Sequence, residues 1–371
     1  MHSSSRGRAG LLVALLLGFI LGGGAVGWLT MGRQREIVRL VVAPAKHPGP
    51  DRTDTIQEAI RRAGPAVVQV EATFHAANVP RGLERILPDA ERELVPHGQG
   101  SGVIINGEQG YIISNAHVVT EASKISVTLA DGRRLSARLV GSDPFSDLAL
   151  LKVNAAGLPQ IVLGSSEDLP IGSWLVAIGN PFGLENSATV GVLSAKGRDL
   201  DIPGRSLPLE DLVQTDAAIN RGNSGGALVN LDGELIGIPT TIVTPRIGQG
   251  VGFAVSVERV RRVVPQLIEH GKAIWPWLGL RYAPATAKEM ANIHPATTTG
   301  MKVTEVMSGG PAAKANVQAG DIITLADGKA LRLKTDLQHH VRSREPGARV
   351  ILRLWRKGQW HNITVVLEPM P

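Results

Sequence analysis

Between Gly100 and Val257, short apolar runs alternate with the turns Asn106-Gly107, Asp131-Gly132 and Asp232-Gly233, and no stretch carries a long helical period. Asx-Gly pairs tolerate the positive φ angles that tight antiparallel hairpins demand. A chain punctuated this way buries its apolar residues by closing antiparallel sheets on themselves, so β-barrels are expected here. The protein has no cysteine. Packing alone must therefore hold the barrels, and neither a disulfide framework nor a zinc–thiolate site is available.

A chain of 371 residues leaves room for two or three domains. The net charge of +6 is unevenly spread, with 14 basic against 7 acidic residues in 272–371 and 19 against 25 in 51–271. A mildly acidic middle without aromatic-interleaved basic patches argues against a nucleic-acid enzyme.

The chemistry gathers at Thr215-Asp216-Ala217-Ala218-Ile219-Asn220-Arg221-Gly222-Asn223-Ser224-Gly225-Gly226-Ala227-Leu228. A serine hydroxyl becomes a useful nucleophile only beside a base, with backbone N–H groups aimed at the developing oxyanion. The glycines around Ser224 allow the close approach such a loop needs. Upstream, the apolar run Tyr111 to Asn115 leads to His117, expected at a strand end, and the turn Ser142 to Ser146 delivers Asp147 into Leu148-Ala149-Leu150-Leu151. His117, Asp147 and Ser224 thus fall in the order His, Asp, Ser of the chymotrypsin-type triad. Gly222-Asn223-Ser224-Gly225-Gly226 also fits a nucleophile elbow. That motif needs a helix directly after the serine, whereas two apolar runs around Asp232-Gly233 follow here.

Together with Ile178-Gly179-Asn180-Pro181-Phe182-Gly183-Leu184 and Gly250-Val251-Gly252-Phe253-Ala254-Val255, these stretches resemble the HtrA (Deg) serine proteases from about Asp54 to the C-terminus. The resemblance implies a mainly β fold: a chymotrypsin-like double β-barrel protease domain over 51–271, then a single PDZ domain over 272–371. It implies a catalytic triad of His117, Asp147 and Ser224, an oxyanion hole at Gly222, Asn223 and Ser224, and neither metal nor cofactor. Trypsin carries an acid six residues before its nucleophile; Ala218 stands there instead. With Ile219, Ile238, Pro239 and Thr240 it is expected to form a pocket for small aliphatic side chains. Arg198 is expected to sense occupancy of the PDZ domain, with Arg205 as the alternative. A homotrimer held by aromatic residues near the start of the protease domain is expected too, where this chain offers Phe74.

In the PDZ region, Trp277-Leu278-Gly279-Leu280 matches the loop whose backbone N–H groups hold a peptide's C-terminal carboxylate. A helix over 335–344 would line the groove. Protein or peptide substrates at Ser224 and peptide C-termini at the PDZ domain are therefore the expected partners, with no nucleic acid.

Residues 1–50 are read as an anchor or signal peptide followed by a linker. No charged residue occurs between Ala9 and Gly32, and about 20 helical residues span a bilayer. Residues 9–32 are thus expected to form a transmembrane helix in a bacterial inner membrane, with both domains in the periplasm. The alternative is a cleaved signal peptide ending near Ala25-Val26-Gly27, leaving a soluble periplasmic protein. Helices are expected over 54–63 and 256–271, and a long loop over 75–98. An alternative function is a membrane-tethered peptide-binding or chaperone module with little protease activity.

Overall fold

The computed structural model describes residues 56–75, 94–180, 186–200, 202, 208–220, 222–240, 250–293 and 299–371. The expected anchor over 9–32, the linker and Arg205 lie outside them. Among the described residues no helix is long and apolar enough to cross a membrane.

Helix α1 (Ile56–Ala63) buries Ala59 and Ala63 and carries Arg61 and Arg62 in its last turn, where they complement the helix dipole. One 3-10 turn (Gly64–Ala66) then leads into β1 (Val67–His75). Strands β2 (Leu94–Asn106), β3 (Tyr111–Asn115), β4 (Lys124–Thr128), β5 (Arg134–Asp143) and β6 (Leu148–Val153) join β1 in a closed barrel of order β1-β2-β3-β6-β5-β4, with the single-turn α2 (Ala116–Val119) after β3. Four consecutive β6 residues, Leu148 to Leu151, have no exposed surface. Such uninterrupted burial explains why apolar runs, not alternation, mark these strands.

The second sheet comprises β7 (Val162–Leu163), β8 (Trp174–Gly179), β9 (Ser187–Leu200), β10 (Leu209–Thr215), β11 (Ala227–Val229), β12 (Glu234–Thr240) and β13 (Gly252–Ser256). Its order is β11-β8-β9-β10-β13-β12-β7, and pairing of β11 with β12 closes six strands into a ring around Leu175, Leu193, Val213, Leu228, Ile236 and Ala254. Helix α3 (Val257–His270) follows. Ser256 caps its start by accepting the Arg259 N–H, and Gly271 ends it at φ 70°, a left-handed angle that suits glycine. The helix runs through Pro265 as one element and packs on β5 and β6.

Strand β14 (Pro276–Trp277) pairs with the terminal β21 (Glu368–Pro369). Between them lie β15 (Leu280–Pro284), α4 (Ala287–Met290), β16 (Met301–Val306), α5 (Pro311–Lys314), β17 (Ile322–Ala326), β18 (Lys329–Ala330), α6 (Lys334–Arg342), β19 (Arg349–Arg356) and β20 (Gln359–Val366). The sheet β15-β16-β17-β19-β20 packs Val303, Ile323, Val350, Leu352, Leu354 and Val365 against Leu337 and Val341 of α6. The mainly β fold, with a double barrel followed by one smaller sheet module, agrees with the expectation.

One boundary differs. The loop expected over 75–98 is strand from Leu94, because the β1–β2 ladder continues from Ala72↔Gly98 to His75↔Leu94 across a register shift. That pairing is made by backbone groups, to which the polar composition gives no clue.

Candidate active site

Asn115 ends β3, and His117 lies in the turn of helix that follows. His117 was expected at the strand end itself. Asp147 is the reason for the difference: its carbonyl accepts the Ala116 N–H (3.1 Å) and the Asn115 Nδ2 (3.0 Å), and its Oδ1 accepts the His117 N–H (3.0 Å). Asp147 therefore satisfies donors that a helix start leaves open. The same carboxylate meets the imidazole, with Nδ1 at 2.8 Å from Oδ2. Nδ1 must carry the proton for this contact to be favourable, so Nε2 is the basic nitrogen.

Asp147 is only 3% exposed and sits at φ 58°, an angle Asp tolerates better than most residues. The turn before it is fixed by Asp143, whose carboxylate accepts the Ser146 N–H (3.1 Å), the Ser146 hydroxyl (2.6 Å) and the Trp275 indole N–H (3.1 Å). The Thr240 hydroxyl donates to Asp147 Oδ2 at 2.8 Å. From sequence, Thr240 was expected only to line the substrate pocket, and its bond to Asp147 was missed. Nothing in a linear pattern links residues 147 and 240; barrel closure brings them together.

Ser224 is nearly buried and follows Gly222 at φ 105°. Its carbonyl accepts the Ser101 N–H (2.8 Å), the Gly225 N–H donates to Pro239 O (2.9 Å), and the Gly226 N–H donates to Asn223 O (2.9 Å). A Cβ on Gly225 would lie 2.2 Å from Ser101 O and 2.6 Å from Ser114 Oγ, so only glycine fits. The serine turn thus lies directly against the end of the strand that leads to His117.

Of the expected pocket residues, Ala218 is exposed, Ile219 packs partly against the second-barrel core and Ile238 is fully buried in β12. The Ala218 carbonyl accepts Asn223 Nδ2 (3.3 Å) and the Thr189 hydroxyl (2.8 Å), placing it beside the Gly222–Gly226 turn. Among the described residues, no group of three or more His, Asp or Glu is arranged to hold a metal.

Arg198 donates to Gln214 on the neighbouring strand (3.2 Å). Among the described residues of this region, Asp199 lies 3.0 Å from His339 Nε2 of the second module and Glu210 accepts from Gln338 there. Arg259 and Arg342 lie 3.8 and 3.7 Å from the buried Glu210 Oε2. Burial pushes the Glu210 carboxyl up and the Arg342 guanidinium down from their ordinary ranges, although each partly offsets the other's shift. The Asp199 hydrogen bond holds His339 above the usual histidine range.

Above this contact opens a groove of about 450 Å3 between β15 and α6, lined by Trp277, Leu278, Leu280, Tyr282, Leu337 and Val341, with Pro208 and Glu210 also facing it. Gly279 sits at φ 74°; its carbonyl accepts the Met307 N–H (2.9 Å), and that of Leu278 accepts the Ala312 N–H (2.8 Å). These bonds fix the loop's shape.

A His–Asp pair beside a serine turn, in paired barrels joined to a groove-bearing sheet module, defines a trypsin-like serine peptidase with one PDZ domain. Residues 100–238 match the trypsin-like peptidase domain model and 276–367 the PDZ domain model. The periplasmic pH-dependent serine endoprotease DegQ of Escherichia coli (strain K12) is 43% identical over 314 residues, covering 82% of this chain and 68% of that protein. A probable periplasmic serine endoprotease DegP-like of Chlamydia muridarum (strain MoPn / Nigg) is 42% identical, covering 74% of this chain and 54% of its own length. Against such DegP-like relatives, the chain spans about half their length. The solved structure of the HtrA-type protease AlgW S227A with a decapeptide superposes with TM-score 0.72 at 35% identity, covering 85% of this chain and 98% of that one. The chain belongs to the HtrA/Deg family of serine endoproteases.

Proposed function

We propose that this protein is a serine endopeptidase of the bacterial envelope, acting in the periplasm, that cuts misfolded or regulatory proteins after small aliphatic residues and is activated by a peptide C-terminus held in the groove. Residues 51–271 form the protease domain and 272–371 the PDZ domain. The observation that carries the catalytic part is the 2.8 Å contact of His117 Nδ1 with Asp147, in a carboxylate also held by Thr240.

In this reading His117 Nε2 takes the proton from Ser224 Oγ as the oxygen attacks the scissile carbonyl, and later returns it to the leaving amine. Asp147 stabilises the imidazolium formed between those steps. The N–H groups of Gly222 and Ser224 receive the oxyanion, with Asn223 shaping the loop between them. Ala218, Ile219, Pro239 and Thr240 bound the pocket, with the fully buried Ile238 packed behind them. Its lack of an acid at Ala218 supports a preference for Val, Ala or Ile.

At the groove, Trp277, Leu278, Gly279 and Leu280 hold the carboxylate of an incoming terminus, and the peptide adds a strand along β15. The decapeptide in the AlgW structure supports a peptide-regulated reading. The groove and the protease share Glu210, and Arg198 relays occupancy toward the oxyanion loop. Residues 9–32 anchor the chain in the inner membrane; cleavage after a signal peptide is the alternative. A homotrimer joined near the start of the protease domain, where Phe74 stands, completes the reading.

The test measures kcat/KM on a reporter peptide with and without an apolar-ended activating peptide, free or amidated at its C-terminus. Activation by the free form alone is expected. Equal activation by the amidated form would refute carboxylate capture.

A further inference from the structure

Ser101, on β2, has no exposed surface and makes four hydrogen bonds, two of which end on the serine turn. Its N–H donates to Ser224 O (2.8 Å), and its carbonyl accepts the Ser114 hydroxyl (2.7 Å). Its own hydroxyl donates to Gly222 O at 2.5 Å and accepts the Asn180 N–H at 2.8 Å. The direction of these last two bonds is unambiguous, because an amide N–H can only donate and a carbonyl can only accept. The single hydroxyl proton is therefore committed to Gly222.

A trans peptide unit is planar, with its C=O and N–H pointing in opposite directions. Holding the Gly222 carbonyl on Ser101 turns the Asn223 N–H the other way, where it meets Asn220 O at 3.1 Å. Holding the Ser224 carbonyl on the Ser101 N–H likewise turns the Gly225 N–H toward Pro239 O. One residue thus sets the peptide planes on both sides of the Asn223–Ser224 link. The end of β8 closes on the same point: a Cβ on Gly179 would lie 2.6 Å from Asn223 Oδ1 and 2.8 Å from Asn223 Cα. The Ser101 hydroxyl therefore ties the oxyanion loop to β2 and to the Gly179–Asn180 bed.

We propose that Ser101 is a positioning residue for catalysis, its hydroxyl holding the Gly222 carbonyl and its N–H the Ser224 carbonyl so that the Ser224 N–H between them stays aimed at the oxyanion. This rests on the oxyanion-hole reading above. Ser101 does not touch substrate. Loss of its hydroxyl frees the Gly222–Asn223 peptide plane, whose own N–H meets Asn220 O, and with it the orientation of the adjoining Asn223–Ser224 plane that carries the Ser224 N–H. This donor is then misdirected in the transition state while the pocket and the His117–Asp147 pair stay in place.

Ser101→Ala is compared with wild type and with Ser224→Ala. The readouts are kcat and KM on a valine-containing reporter peptide, inhibition by a valine-terminated peptide boronic acid, and the pH dependence of kcat/KM. Removal of an oxyanion donor itself costs about 10²–10³-fold in kcat, so a fall in kcat of at least ~10-fold toward that limit is expected. KM should stay within about threefold, since ground-state binding is not altered. Boronate affinity should fall in step with kcat/KM, and the midpoints of the pH profile should keep their wild-type positions.

A kcat and boronate affinity within about twofold of wild type would overturn the proposal, as would a loss carried by KM alone or a shifted pH profile. If Ser101→Ala does not fold, Ser101→Cys carries the same test, because it keeps the packing and weakens the donor. If wild type shows no activity that Ser224→Ala removes, the protease reading fails. If wild type is active and Ser101→Ala matches it, only the role of Ser101 fails.

Discussion

Replacing Asp147 by Asn changes one atom of the carboxylate, and the surrounding donors dictate how the amide must sit. Oδ1 accepts the His117 backbone N–H at 3.0 Å, and that N–H can only donate. Oδ2 faces the Thr240 hydroxyl and His117 Nδ1, both at 2.8 Å. A hydroxyl can reverse and accept, so the variant places its oxygen on the backbone N–H and its NH2 toward Thr240 and the imidazole. Nδ1 lies 3.0 Å from the retained oxygen but closer, at 2.8 Å, to the position the NH2 takes. A proton on Nδ1 would meet that NH2 donor to donor, so Nδ1 accepts, the ring proton moves to Nε2, and the base of the proposed mechanism is lost. The equivalent change in trypsin drops kcat about 10⁴-fold, or about 5.5 kcal/mol of transition-state stabilisation at ~1.4 kcal/mol per decade. The fold should survive, because each backbone donor keeps an oxygen. The assay is steady-state cleavage of a reporter peptide, with the imidazole tautomer read by nitrogen NMR. Activity within tenfold of wild type, or a proton still on Nδ1, would refute the reasoning.

Mapping cut sites in an unfolded substrate by mass spectrometry should show cleavage after Val, Ala and Ile, because Ala218 offers no charge to a basic side chain; mostly Lys or Arg at those positions would exclude the pocket reading. The His339–Asp199 contact raises the folded-state pKa of His339 above its unfolded value of about 6.5. Its contribution to stability is therefore fully present below that pH and lost as pH rises through the raised value. Wild type should melt above His339→Gln in acid and converge with it in alkali, and a gap that widens with pH would contradict the sign. Arg198→Ala should lower activation by a groove peptide without changing peptide affinity, within the ~5–150-fold range of typical couplings; unchanged activation would move the relay to Asp199 or Glu210.

Much of this architecture was legible because barrel strands are short apolar runs between Asx-Gly turns, and because His117, Asp147 and Ser224 occur in a recognisable order. What stayed hidden depends on contacts between distant segments. Thr240 looked like a pocket wall, since only closure of the two barrels sets its hydroxyl on Asp147. The turn of helix at His117 arises from donors that Asp147 satisfies across 30 residues of chain. Strand 94–98 was hidden because its pairing uses backbone groups. Glu210 and Asp199 carry no motif, and their meeting with Gln338 and His339 follows from the packing of the second module on the first.

The central claim is that Ser224 is the nucleophile and His117 its base. A fluorophosphonate probe with peptide mapping tests it directly. Wild type should carry the label on Ser224, labelling should vanish in Ser224→Ala and fall by orders of magnitude in His117→Ala, and peptidase activity should follow it. Label on another serine, or undiminished peptidase activity in purified Ser224→Ala, would contradict the account.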